Sequence, residues 1–388
     1  MFVLVSPVFS GADLARAFQE LGADFVPVYS GGRHDADRLA RLRPTAVIAA
    51  SPIGGAYAEQ LAGELDLPRH DPELASARSD LALMTTTLRQ AGLPAVQGAT
   101  LARDSAVDEL LDTWNDWPAV VRPASGRATG VMRLCRTAEQ ARAAISAMRD
   151  ASGAERLDMP LLLHGLPEGD GYEVHTVSSR GRHLVTEVRR HHETVADGVV
   201  RLRHSETRAA LTAAEEQLVA AARACLDALG IREGAAAVGL RLGADGARPT
   251  HVQPWFDGPR QPDDPYFAAL GTTRAHLLAE SLLRPDHFEL RLAQPYGRPQ
   301  GLIRVDLHAR PGHGRLRGMP GLNRLRRLPG FHSVAGLPQP GSPAPTGAAS
   351  AGAHGSAYFV HEDESLLRSS AAVVHSMEDT GTLFDYAD

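Results

Sequence analysis

Two stretches of this chain combine residue types that can do chemistry. AAVGLRLG at 236–243 and THVQP at 250–254 read as two strands joined by a turn at Ala244-Asp245-Gly246. Side chains two apart in a strand share a face, so His251 and Gln253 form one polar pair, and Ala237, Gly239 and Arg241 form the facing set. Imidazole, amide and guanidinium there would make a neutral-to-basic surface, suited to an anion and poor for a hard cation. His175, in YEVHTV, is a further candidate as a general base near neutral pH, and Arg190, in the strand after the next turn, as a contact to an anion. His164, His191, His192 and His251 also fall in predicted strands, but no HxxxH or HxH spacing supports a preformed metal site, and no metal ligands are assigned.

A small, flexible turn, ASGRATG at 124–130, follows the strand PAVVRP. Its backbone N–H groups are able to cover phosphates, but such a loop is also common as a plain hairpin turn. Only its place in the order of motifs makes Ser125, Gly126, Thr129 and Gly130, with Arg122 just before them, the candidate cofactor-binding set. All 40 basic residues are Arg, so Lys Schiff-base chemistry and a Lys-bearing phosphate loop are excluded. No serine has a GxSxG context, and the loop SPIGG at 51–55 lacks a dinucleotide fingerprint.

The elements that must position these residues begin with strands and helices in alternation over the first seventy residues, the pattern of a parallel sheet covered by helices. A long helical stretch is expected over 71–91, then a strand near 95–97, a helix around 106–114 and the strand 118–123. Three strands (PLLLHGL, YEVHTVSS and HLVTEVRRHH) come next, the last two joined by the turn Ser179-Arg-Gly-Arg182; the helix TAAEEQLVAAARACLDALG follows. Two or three strands and a closing helix near 362–377 complete the chain, with a low-complexity loop over 338–355. With 388 residues, 43% apolar content and a net charge of -6, the chain reads as globular, with no basic stripe for nucleic acid and no membrane span. Cys135 and Cys225 stand in unrelated contexts, and the N-terminus reads as a first strand rather than a signal peptide, so a cytoplasmic location is expected.

In their order these parts resemble the ATP-grasp superfamily, and within it the carboxylate-amine ligases that join amino acids. The resemblance rests on SDLALMTTTLRQAGLPAVQG, PAVVRPASGRATGVMRLC, GYEVHTVSSRGRHLVTEVRRHHE, REGAAAVGLRLGADGARPTHVQPW, and a tail with GRLRGMPGLNRLRRLPGFHSV and YFVHEDESLLRSS. It implies an α/β (in part α+β) fold: a parallel α/β pre-ATP-grasp domain over 1–75, then antiparallel-sheet-plus-helix parts, comprising a glycine-loop subdomain over 76–157, a central subdomain over 158–300 and a small C-terminal part over 301–388. Against the family pattern, Leu81 and Arg122 stand at two Lys positions, and Gly165 and Gly171 lie near two acid positions. Ala237 and Gly239 stand for the His and Glu of the first metal strand, and His251, Gln253 and Trp255 for the Glu, Asn and Arg of the second.

What the resemblance implies is therefore a pseudo-ligase. It would be the non-catalytic partner of an active ligase or a homo-oligomer, or it would bind ATP or another anionic metabolite. The alternative is an active ATP-dependent ligase that forms an amide or peptide bond through an acyl phosphate. That reading needs Mg²⁺ and carboxylates from Glu168, Asp170, Glu173 or Asp257. A third reading keeps the fold with ATP-independent, histidine-assisted chemistry.

Overall fold

The computed structural model describes residues 1–29, 35–102, 106–124, 132–150, 160–196, 198–256, 258, 260–310, 313–345 and 353–387. The chain divides into two compact units. Unit 1 comprises Met1–Glu187, Thr212–Arg260 and Arg274–Pro295; unit 2 comprises Val188–Leu211, Gln261–Thr273 and Tyr296–Asp388.

Unit 1 opens with the parallel sheet that the alternating pattern predicts. Strands β1 (Phe2–Val5), β2 (Phe25–Val28) and β3 (Ala46–Ala49) run in the order β2-β1-β3, with β1 buried along its whole length. Such central parallel strands are covered on both faces, which is why FVLV is continuously apolar. The loops after β1 and β3 pack tightly. A Cβ on Gly11 would lie 2.4 Å from Ala50 O, and one on Gly54 would lie 2.6 Å from Val5 O, so glycine is required at both.

The long helix expected over 71–91 is instead broken. A 3₁₀ turn (Pro72–Leu74) leads into a helix over Ala75–Ser79, and a second helix runs over Leu81–Gln90. Asp80 causes the break: it adopts an extended conformation and its carboxylate accepts from the N–H of Ala82 at 2.8 Å and of Leu83 at 3.0 Å, capping a new helix rather than continuing the old one.

Next comes an antiparallel group of β4 (Gly98–Leu101), β5 (Ala119–Pro123), β6 (Arg133–Cys135) and β7 (Leu161–Gly165), ordered β6-β5-β7-β4. One face of this group, with Ala119, Val121, Leu161 and Leu163, packs with Ala141 and Ile145 of the helix Ala138–Asp150. Strand β8 (Asp170–Ser179) turns through Arg180 and Gly181, both at positive φ, into β9 (Arg182–Ala196). Two positive φ values define the tight hairpin expected at that turn. The boundary between the units falls within β9, whose latter part pairs in unit 2 with β10 (Val199–Thr207), a strand absent from the sequence expectation. In unit 1 the helix Ala213–Ala228 precedes β11 (Gly234–Gly243) and β12 (Gly246–Gln253), an antiparallel hairpin with β8 on its other side. The helix opens with a full capping box between Thr212 and Glu215.

Unit 2 continues from β10 to β13 (Gly301–Asp306), and then through β16 to β15; β14 (Arg315–Gly318) pairs separately with β17 (Asp385–Ala387). Here β15 is Phe331–Ala335 and β16 is Ser356–His361, so the C-terminal part holds more strands than the two or three expected. The helix Glu364–Asp379 covers β13 and β16 with Leu367, Ala371 and Val374. Part of the low-complexity stretch, residues 346–352, lies outside the described residues. Among the described residues no helix is long and apolar enough to cross a membrane.

Candidate functional site

The three strands β8, β11 and β12 bring the predicted residues into two cross-strand rows. Glu173, Gly239 and His251 form one row, and His175, Ala237 and Gln253 the other. Directly paired residues and residues two apart share a face, so all six lie on one side of the sheet. The two small residues are centred between the polar ones. The gap at Gly239 is filled: a Cβ there would lie 2.2 Å from His251 Cε1 and 2.5 Å from Nδ1. The missing side chain on one strand and the bulky ring on its partner are thus complementary. Where the resemblance places carboxylates, this pair holds a glycine and an imidazole. Ala237, Gly239, His251 and Gln253 offer no carboxylate to a hard divalent ion such as Mg²⁺, and Glu173 is the one carboxylate among the six.

His175 belongs to a buried polar chain. Arg274 Nη1 donates to His175 Nδ1 at 2.9 Å, and His175 Nε2 lies 2.7 Å from Glu173 Oε2. Guanidinium has no acceptor, so Nδ1 must accept and the ring proton of neutral His175 sits on Nε2, the nitrogen beside Glu173. Arg274 Nε also lies 3.4 Å from Glu187 Oε1, whose side chain is 1% exposed, and the guanidinium stands 5.1 Å from the centre of the Phe256 ring. This chain fixes the tautomer and orientation of His175 and leaves Glu173, the more exposed of the two carboxylates, at its open end. Glu173 and His175 are two apart in β8 and so share a face, a pairing that sequence reading did not draw. Nothing in GTTRAHLLAE marked Arg274 as their partner.

Arg122 and His164 share a face of the β5–β7 pair, since Val120 is opposite His164 and Arg122 opposite Leu162. Arg122 is 3% exposed, and among the described residues no carboxylate pairs with it; its Nε has no hydrogen-bond partner. Burial lowers its pKa to about 10, still cationic at neutral pH. Burial also pushes His164 down to about 4; its Nδ1 is 2.8 Å from Gly165 O, and the Arg122 charge lowers it further. His164 is therefore neutral beside a buried cation. Ser125, Gly126, Thr129 and Gly130 lie outside the described residues. Leu81 is buried at the start of its helix, its N–H bonded to Ala124 O at 2.9 Å, so an apolar contact stands where the resemblance places a Lys. At Gly165, a Cβ would meet the Asp116 carboxylate: an acid from the loop before β5 sits where the resemblance places the acid of this strand.

The remaining candidates separate. Arg241 lies at the far end of β11 and donates to Gly169 O at 3.3 Å, holding the turn before β8. Arg190 belongs to unit 2, opposite Glu206 of β10, rather than to the unit that holds the other predicted residues. Trp255, two residues past Gln253, is 5% exposed and stacks over Gly55, whose Cβ position is 2.8 Å from the indole Cε3. Trp255 also lines two adjoining cavities of about 190 and 350 Å³, which share Glu59, Arg69 and His70. His70 Nδ1 accepts from the backbone N–H of Arg232 at 3.2 Å and Glu233 at 3.4 Å. These cavities were not anticipated; only the break in family pattern at Trp255 hinted at them.

No family model matches the chain, and no curated protein matches it closely enough in sequence to count as a relative. Solved structures do match. It is similar to an L-amino acid ligase from Bacillus licheniformis, at a TM-score of 0.76 and 14% identity over 100% of this chain and 98% of that one. It is also similar to carboxyaminoimidazole ribonucleotide synthase from asperigillus clavatus complexed with ATP (TM-score 0.69, 12% identity, 98% of each chain). A third is phosphoribosylglycinamide synthetase from Anaerococcus prevotii (TM-score 0.65, 10% identity, 100% of this chain and 98% of that one). With the parallel N-terminal sheet, the antiparallel groups that follow and these neighbours, the chain has an ATP-grasp fold.

Proposed function

We propose that this protein is a pseudo-ligase: it keeps the ATP-grasp fold, binds a nucleotide or another anionic metabolite through arginine without a magnesium bridge, and acts beside an active ligase. The observation that carries this reading is Arg122, a buried guanidinium with no carboxylate partner among the described residues. A buried cation is costly unless compensated, and an anionic ligand compensates it. The interlocked Gly239 and His251 support the second half of the reading, since neither offers a carboxylate where the resemblance places two. The test is calorimetric titration with ATP, with and without Mg²⁺, beside an ADP-release assay over amino-acid pairs. Binding that does not require Mg²⁺, with no ADP released, is expected.

A second reading, an active carboxylate-amine ligase, is favoured by one specific observation. Glu173 lies on the same sheet face as His251 and Gln253 and is the acid which that face retains. Under this reading Glu173→Gln would abolish Mg²⁺-dependent ATP binding and turnover; under the first it leaves Mg²⁺-free binding intact.

A further inference from the structure

Unit 2 carries a histidine–carboxylate cluster that neither reading uses. A β-bulge between Leu202 and His204 sets its geometry. The bulge makes Arg203 the extra residue on β10, which places His204 opposite His192 of β9 and Glu206 two residues further on the same face. His192 Nε2 lies 3.1 Å from Glu206 Oε1, and His204 Nε2 lies 3.6 Å from the same oxygen. His192 Nε2 is buried against the Glu206 carboxylate. Ligand atoms around a tetrahedral ion, each about 2.0–2.2 Å from it, sit about 3.3 Å from one another. The three ligand atoms here lie within 4.8 Å of one another.

The surroundings match those of a metal ligand set. His204 Nδ1 is 2.9 Å from His375 Nε2, and His375 Nδ1 is 3.2 Å from Glu378 Oε2. His375 Nδ1 also receives Arg203 Nε at 3.3 Å. With Nε2 on an ion, His204 would present its Nδ1 proton to His375 Nε2, and Arg203 Nε would turn away from His375 while Arg203 Nη2 keeps Glu378 and Asp379. That leaves His375 Nδ1 to donate to Glu378 as the outer carboxylate–imidazole support of a ligating histidine. Glu206, Glu364, Glu378 and Asp379 stand among Arg203, Arg208, Arg368 and Arg190, the last on β9 opposite Glu206, so these carboxylates and guanidiniums balance and leave the charge of an ion to the ligand set. The His192 side chain is 32% exposed, which gives the ion an entry and a fourth, open position. The rings of His192 and His204 are stacked at 4.0 Å, 10° from parallel, so shared ligation requires the more exposed His192 ring to turn about its Cβ–Cγ bond.

We infer that His192, His204 and Glu206 form a binding site for a borderline divalent ion of the Zn²⁺ class, tying β9 to β10 and, through His375, to the helix Glu364–Asp379. Imidazole and carboxylate select such an ion over Mg²⁺. The test uses the full chain, stripped with chelator and titrated with ZnCl₂ alone. One bound equivalent retained through gel filtration and a raised melting temperature are expected. His192→Ala is expected to weaken binding at least about tenfold, and His375→Ala about 10–100-fold. His192→Phe keeps the ring stack while removing the ligand atom, so it reads ligation apart from folding. His287→Ala, an exposed residue outside the cluster, should bind as wild type. No retained zinc in the wild type, or wild-type affinity in His192→Phe, would overturn the inference. Because the probe is the metal alone, its outcome is independent of ATP binding.

Discussion

Gly239 and His251 are cross-strand partners in the β11–β12 hairpin, and the His251 imidazole occupies the volume that any side chain at Gly239 would enter. The pair is one packing unit, so restoring one member of a metal-binding pair without the other should fail. Gly239→Glu alone is expected to cost about 1–3 kcal/mol, as overpacking does, and the double variant Gly239→Glu/His251→Ala to recover most of it. Denaturant unfolding of the two variants checks this; equal destabilisation in both would show that the two positions are not interlocked.

Arg122 should display opposite effects on stability and binding. Arg122→Met removes an isolated buried cation while keeping a long apolar side chain, so stability should be unchanged or rise by about 1 kcal/mol. ATP affinity in the same variant should fall at least tenfold. A variant that loses stability and keeps ATP affinity would assign Arg122 a structural role.

The buried chain through Arg274 gives a third expectation. Arg274→Ala leaves Glu187 buried without its partner and should cost about 3–5 kcal/mol. The double change Glu187→Gln/Arg274→Met removes both charges and should recover most of that loss. A double-mutant cycle in unfolding free energy reads the coupling directly.

His164 sets a pH dependence. Its folded-state pKa is about 4, below the ordinary value of about 6.5, so between those values the unfolded chain binds the proton more readily. The contribution of neutral His164 is fully present above about pH 6.5, is lost as pH falls toward about 4, and is level below that. Its size is about 3 kcal/mol. His164→Asn should flatten the fall in stability between about pH 7 and pH 4; an unchanged slope would show that another group carries it.

Much of the fold was legible because it rests on short-range pattern. Alternation plus Ala-Asp-Gly located the β11–β12 hairpin, and side-chain parity alone placed His251 beside Gln253. What escaped depended on contacts distant in the chain or on irregular backbone. Asp80 could have been read as a helix former or a cap, and only the competing backbone bonds decide for the cap. Arg274 reaches His175 from a helix with no motif of its own. Strand β10 mixes Arg201, Arg203 and His204 with apolar residues, and its bulge breaks the alternation that would reveal it. That bulge also hid the His192–His204 pairing, which no HxH or HxxxH spacing announces.

Calorimetric titration of the wild-type chain with ATP, run in the presence of chelator and again with Mg²⁺, tests the arginine-based site most directly. Comparable heat and affinity in both, together with no ADP release, are expected. Binding only with Mg²⁺, followed by ADP release with an amino-acid pair, would contradict it.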